Sequence, residues 1–197
     1  MSNQINIQQQ KLNPFIMKKS ILTFATILLI TVFTTNSFAQ TSATVTGTTA
    51  GAKLIKPMTL TQTSPLHFGT INVLTGAGGT VTLPSNSTTR VFSAGVSEST
   101  VAPNATNAAY SVTGTKNVTY ALTLPASITV AETITGTATM TINALTARFN
   151  GAAGDAITST LSATGTDSFT VGGTLTIAPS QEGGIYNGTF NVTIDYN

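Results

Sequence analysis

The sequence of 197 residues has no cysteine, no tryptophan and only one histidine, His67. Without cysteine there is no disulfide, so stability must come from packing and backbone pairing. A lone histidine with no cysteine beside it does not make a multi-ligand metal site, and we predict no metal, no cofactor and no catalytic role for it. The sequence also has no nucleophile motif, phosphate-binding loop or local carboxylate pair. We therefore do not expect an enzyme.

Charge is also scarce, because only 7% of the residues are charged, against about a quarter in ordinary soluble domains. Residues 40–197 contain five basic and six acidic side chains, so their formal net charge is −1 although the whole chain carries +2. There is no basic patch to bind phosphates, which excludes nucleic acid as an expected partner. Threonine, serine and asparagine take the place of charge. Such a surface suits a protein whose neighbours are copies of itself.

The first 39 residues have the organisation of a leader and signal peptide. Lys18 and Lys19 precede the apolar run 21–30, and Ser37-Phe38-Ala39 provides a small-x-small cleavage site. Met17 is the natural start of this signal. A transmembrane anchor is the alternative, but the run is shorter than the roughly 20 apolar residues of a bilayer span. We predict export, with no membrane span after cleavage.

The remaining chain consists of many short segments with β-strand character, separated by turn residues. We predict an N-terminal arm over 40–52 and a single domain over 53–197. No segment of the domain shows helical periodicity, and the spacing of strands and turns indicates a β-sandwich or a barrel. The predicted strands are 53–60, 66–71, 80–83, 109–113, 118–124, 137–142, 145–149, 169–171 and 174–177.

The closing stretch is the most regular part of the sequence. From Tyr186 onward, apolar or small residues alternate with polar ones, which predicts one long strand with an apolar face. The side chains on that face are Tyr186, Gly188, Phe190, Val192, Ile194 and Tyr196. A long strand of this kind needs a partner, either in its own sheet or in another molecule.

Several stretches resemble a family of secreted bacterial domains of unknown function. They are 66–71, 110–114, 118–125 and the closing part from 171–177 to 196–197. The ending is also similar to that of chaperone–usher pilins and spore-coat-U type domains. Those pilins carry a glycine near the start of the last strand and a penultimate tyrosine, and Gly184 and Tyr196 stand at the matching positions.

The resemblance implies an all-β fold, an immunoglobulin-like antiparallel β-sandwich that lacks one strand and is completed by a donor strand. It implies a pilin-like structural subunit of a bacterial surface fimbria or coat, with a periplasmic chaperone, an outer-membrane usher, and copies of itself or related subunits as partners. The donor arm would then include Ala43, Val45 and Gly47. The alternative is a self-complete secreted or surface β-domain with an adhesive or carbohydrate-binding role.

We predict that the exported protein begins at or near Gln40. The apolar run and Ser37-Phe38-Ala39 are the features that a signal peptidase reads. The intact mass of protein recovered from outside the cytoplasm should lack residues 1–39. A mass that includes Lys18 and Lys19 would contradict this prediction.

Overall fold

A computed structural model of the chain describes residues 43–134 and 136–197. The chain divides into two units, Met1–Gly51 and Ala52–Asn197. In the first unit, residues 43–51 are exposed and lie in no strand. The predicted signal peptide, its start at Met17 and its cleavage before Gln40 lie outside the described residues. Within the described ranges, no helix is long and apolar enough to cross a membrane.

The second unit is built from short antiparallel strands, and the described residues contain no helix, which confirms the all-β prediction. The strands are β1 (Thr59–Ser64), β2 (His67–Phe68), β3 (Ile71–Val73), β4 (Gly79–Leu83), β5 (Val91–Phe92), β6 (Val96–Glu98), β7 (Ala105–Thr106), β8 (Ala108–Thr113), β9 (Thr119–Thr123), β10 (Ser127–Glu132), β11 (Thr139–Phe149), β12 (Thr158–Thr160), β13 (Thr166–Ile177), β14 (Tyr186–Asn187) and β15 (Thr193–Tyr196).

The strands pair into one large sheet and three small ones. The large sheet has the order β1-β8-β13-β11-β10-β14, and β4 and β5 join it because β4 pairs with the second half of β13. A three-stranded sheet has the order β12-β9-β15. The two remaining sheets are the pairs β2-β7 and β3-β6. The long strand β13 is therefore hydrogen-bonded along both of its edges.

Two apolar cores lie between these layers, because alternate side chains of each strand point inward. The first core joins β8, β11 and β13 to β9 and to residues near β12 and β15. Its centre is aromatic: Phe169 stacks on Tyr110 at 5.0 Å and lies 5.4 Å from Phe149. The second core lies under β4, β10 and the other half of β13. The three-stranded sheet and the large sheet thus enclose the first core as a sandwich.

A partly buried polar cluster links the two layers of that sandwich. The Asp167 carboxylate on β13 accepts hydrogen bonds from the hydroxyls of Tyr120 on β9, at 2.9 Å, and Ser159 on β12, at 2.6 Å. Burial, together with the neighbouring carboxylate, raises the pKa of Tyr120 above its usual value. The phenol therefore remains a neutral donor, and the cluster satisfies polar groups that would be costly to bury unpaired.

Several strand boundaries differ from those predicted. The segment 53–60 is not a strand until residue 59, because Pro57 precedes the first pairing with β8. The predicted strands 137–142 and 145–149 are one strand, β11, whose pairing shifts near Ala144 at a positive φ of 48°. Gly172 and Gly173 lie inside β13 and do not break it. Strand β10 was not predicted, although Ile128 and Val130 alternate there as buried residues.

We expect Phe169→Ala to destabilise the domain by about 3–5 kcal/mol, the usual cost of removing a buried phenylalanine. The side chain is 2% exposed and contacts two other aromatic rings. Denaturant unfolding of purified protein would measure the change. Val91→Ala is the matched control, because Val91 is 60% exposed and its loss should change the free energy of unfolding by no more than about 0.5 kcal/mol. Equal effects of the two substitutions would contradict this assignment of the core.

Candidate functional site

The outer edges of β1 and β15 are bare. Among the described residues, β1 pairs only with β8 and β15 pairs only with β9. The amide of Asn197 donates to the Thr119 carbonyl, at 3.2 Å. Because main-chain groups alternate in direction along an antiparallel strand, those of Ile194 and Tyr196 face away from β9. In β15 they form an open row of donors and acceptors.

The same argument applies to β1. The amide of Gly114 donates to the Gly165 carbonyl, at 2.9 Å. Gly114 and every second residue before it in β8 therefore direct their backbone groups toward β13. The intervening residues of β8 bond to Thr59 and Thr61 of β1. The main-chain groups of Leu60 and Gln62 consequently face outward. Each of the two bare edges can therefore accept another strand.

One open groove, which we call the seam, lies between β1 and the segment that leads into β15. Its volume is about 410 Å³. The apolar side chains of both edges pack against the first core but remain only half-buried. The residues that line the seam are Leu60, Gln62, Tyr110, Phe190, Asn191, Val192 and Thr193. The sandwich therefore lacks a cover along this side.

The last strand is tied to the segment before β1 by a hydrogen-bonded tyrosine, Tyr196, which we call the latch. The hydroxyl of Tyr196 donates to the carbonyl of Lys56, at 2.8 Å, and accepts from the amide of Thr115, at 2.7 Å. The Lys56 amide donates in turn to the Thr115 hydroxyl, at 2.6 Å. Gly114 has no side chain, and a β-carbon there would collide with the Tyr196 hydroxyl. The latch thus joins the segment before β1 to the last strand.

The closing stretch is two strands rather than one. Tyr186 and Asn187 pair with β10 of the large sheet, whereas 193–196 pair with β9 of the other layer. A β-carbon at Gly188 would lie 2.5 Å from the Thr129 carbonyl oxygen, so the chain presses against β10 before it crosses between layers. The predicted continuous strand is therefore wrong. The alternation of apolar and polar residues continues through such a crossing. The sequence alone therefore does not show which sheet each half of the closing stretch joins.

The predicted assembly residues accordingly separate into two groups. Phe190 and Val192 line the seam, and Ile194 and Tyr196 lie on its edge strand. Tyr186 packs against the second core. Gly184 lies by the buried Glu132, whose Cγ would be 2.8 Å from a β-carbon there, and this close approach accounts for the glycine. The structure thus brings only the C-terminal half of the predicted set to the seam.

Other parts of the seam were not predicted as site residues. Leu60, Gln62 and Tyr110 come from β1 and β8. The one sequence feature that indicated an edge strand here was Pro57, two residues before β1. The predicted donor residues Ala43, Val45 and Gly47 are exposed and lie in no strand, and their donor role stays a prediction.

Titratable side chains elsewhere hold loops together. Arg90 donates to the Phe68 carbonyl at 2.7 Å and forms an ion pair with Glu98 at 2.7 Å. His67 is half-buried, and its Nδ1 accepts the Gly69 amide at 2.8 Å. Across 43–134 and 136–197, no three His, Asp or Glu side chains are grouped so that they could hold a metal ion.

We expect Tyr196→Phe to lower the free energy of unfolding by about 1–3 kcal/mol, because it removes both hydrogen bonds of the hydroxyl and leaves the Thr115 amide unsatisfied. Thermal or denaturant unfolding would measure this. Tyr110→Phe is the control: it lines the same seam, and its hydroxyl has no hydrogen-bond partner in the described part of the chain. A Tyr196→Phe protein as stable as the control would show that the latch contributes nothing.

Comparison with known proteins identifies the family to which these strands belong. A search of curated proteins finds no match to the chain. A family described as "Domain of unknown function (DUF4402)" matches residues 58–196. The matched stretch includes β1, β15 and all the residues that line the seam. The chain belongs to the DUF4402 family of domains of unknown function.

Proposed function

We propose that this chain is a pilin-like structural subunit of a bacterial surface fimbria or coat, exported and assembled by β-strand donation. One observation carries the proposal: β1 and β15 each have a bare edge, and an open groove lies between β1 and the segment that enters β15. A strand inserted there would pair with outward-facing backbone groups and cover half-buried side chains. Strand addition of this kind derives affinity from main-chain hydrogen bonds and specificity from alternate side chains.

The unpaired backbone groups and half-buried apolar side chains of the seam favour its occupation by another strand. A bare edge next to apolar side chains is a template for pairing with any available strand, and proteins normally block such edges with charge, proline or a covering segment. Leu60 and Val192 are half-buried and uncharged, and β1 contains neither charge nor proline. An edge left in this condition is better explained by a strand that covers it in the assembled state.

A self-complete domain with an adhesive or carbohydrate-binding role is the second candidate. It is favoured by the outer face of the large sheet, where hydroxyl groups pair across strands, as in Thr59 with Thr113 at 2.6 Å and Thr82 with Thr174 at 3.0 Å. Sugar-binding faces usually present aromatic rings, however. Every aromatic side chain in the described residues is buried or half-buried, and this favours the subunit proposal.

The substitution Gln62→Pro tests the proposal. The Gln62 amide faces outward, so Gln62→Pro removes a donor from the seam without breaking a bond to β8. We expect this variant to remain folded but to lose assembly, measured by sedimentation of purified protein and by electron microscopy of material from the surface of producing cells.

Two matched controls accompany this variant. Gln62→Ala removes the same exposed side chain but keeps the amide, and it should assemble normally. Thr61→Pro removes an amide that bonds to β8, so it should lower the melting temperature instead. Undiminished assembly of Gln62→Pro, or cells that bear the same surface material with and without the gene, would refute the proposal.

A further inference from the structure

The segment before β1 carries an exposed lysine, Lys53, on an unpaired stretch of backbone. Residues 52–55 are exposed and lie in no strand or turn. Across 43–134 and 136–197, Lys53 forms no hydrogen bond and no ion pair. Endoproteases take their substrates as extended strands and cut preferentially in exposed, unpaired segments. The bond between Lys53 and Leu54 therefore has the accessibility that a protease needs.

Basic side chains are so few in this chain that each alternative cleavage site can be judged separately. Residues 40–197 contain five of them, Lys53, Lys56, Arg90, Lys116 and Arg148. A protease that cleaves after lysine or arginine has no other site in that range.

The two arginines are held inside the folded domain. The Arg90 side chain is 4% exposed and forms an ion pair with Glu98. Arg148 lies in β11, opposite Thr170 of β13, and its Nε donates to Asp155 at 2.7 Å. Cleavage after either arginine requires the surrounding structure to open first.

Lys116 is exposed, but its backbone is fixed in the turn between β8 and β9. On one side of it, the Thr115 amide donates to the Tyr196 hydroxyl at 2.7 Å. On the other side, the Asn117 amide donates to the Leu161 carbonyl at 3.1 Å. A turn held on both sides does not straighten into the extended form that a protease binds.

Lys56 is excluded for two reasons. Its amide and its carbonyl are both hydrogen-bonded, to the Thr115 hydroxyl at 2.6 Å and the Tyr196 hydroxyl at 2.8 Å. The residue after it is Pro57, which has no N–H and a fixed φ, and this does not suit the position that follows a cleaved bond. Lys53 is therefore the accessible site in the described part of the chain.

We infer that the Lys53–Leu54 bond is a processing site, at which an endoprotease specific for a basic residue removes the predicted N-terminal arm. Hydrolysis adds one water across the amide, so that Lys53 keeps the new carboxylate and Leu54 becomes the new amino terminus. The first hydrogen bonds to the domain follow at Lys56, after the cut.

Processing at this bond would leave the domain complete. It removes Ala43, Val45 and Gly47 but keeps β1, β15 and all the residues that line the seam. The inference goes beyond the proposed function, because it applies equally to an assembling subunit and to a self-complete domain.

Trypsin is a suitable probe, because it cleaves after both lysine and arginine. Purified exported protein would be treated with trypsin, and the products identified by intact mass and N-terminal sequencing. We expect one early cut, between Lys53 and Leu54. Cleavage after Arg90, Lys116 and Arg148 should be at least about a hundredfold slower, because those bonds become accessible only when the fold opens. In concentrated urea all four cuts should proceed at comparable rates.

Processing in producing cells is tested with matched variants. A form that begins at Leu54 should be present in protein recovered from outside the cytoplasm, and Lys53→Gln should abolish it. Lys116→Gln is the control: it removes another exposed lysine and should leave that form unchanged. The processed domain should melt within about 2 °C of the intact protein, since residues 43–53 are exposed and lie in no strand.

Three results would overturn the inference: no form beginning at Leu54 in producing cells, the same form in Lys53→Gln, or a trypsin cut after Lys116 as fast as that after Lys53. A processed domain that melts well below the intact protein would also overturn it. The proposed function stands or falls separately. Assembly that is lost in Gln62→Pro, in cells without the Leu54 form, would support the proposed function and refute the inference. A Leu54 form of a chain that never assembles would do the reverse.

Discussion

Hydrogen bonding along both edges of β13 is the constraint on which the rest of the fold depends. One edge of this strand pairs with β11, and the other is shared by β8 and β4. Its inward side chains supply both cores, with Phe169 and Val171 in the first and Leu175 and Ile177 in the second. Such a strand needs a partner for every backbone group, because unpaired groups in the interior are costly. Gly172 is buried within it, where a β-carbon would collide with the Leu83 carbonyl oxygen.

The seam follows from the same requirement at the periphery. Each sheet must end somewhere, and the outermost strands on one side of the sandwich are β1 and β15. Both carry inward apolar side chains that contribute to the first core, yet neither has an outer neighbour among the described residues. The apolar area left half-exposed there would be stabilising if it were covered, by about 25 cal/mol for each Å² removed from water. Covering the groove is thus favoured both by hydrogen bonds to the unpaired backbone groups and by burial of the apolar side chains.

Sequence reasoning recovered the fold class and many strands because alternation reports which residues point inward. Strands β4, β8 and β9 lie within a residue or two of the predicted segments. Pairing partners were beyond reach, since they depend on contacts between residues far apart in sequence. Phe190 and Ile194 are half-buried and belong to the same period-two pattern as Tyr186, and that pattern does not show that the chain changes layers between Tyr186 and Phe190. Half of the seam was missed for the same reason: nothing local in Leu60 or Tyr110 shows that β1 lies across from β15.

The latch has a consequence for the time course of folding. Tyr196 and Lys56 are 140 residues apart in sequence, so the bond that ties the two edges together closes a very long loop. Contacts of such separation form slowly, and proteins rich in them fold in milliseconds to seconds. Until Tyr196 is in place, the first core is open on the side of β15, with the aromatic cluster around Phe169 accessible to other chains. Newly made molecules therefore pass through a period in which encounters between unfinished chains compete with the completion of each one.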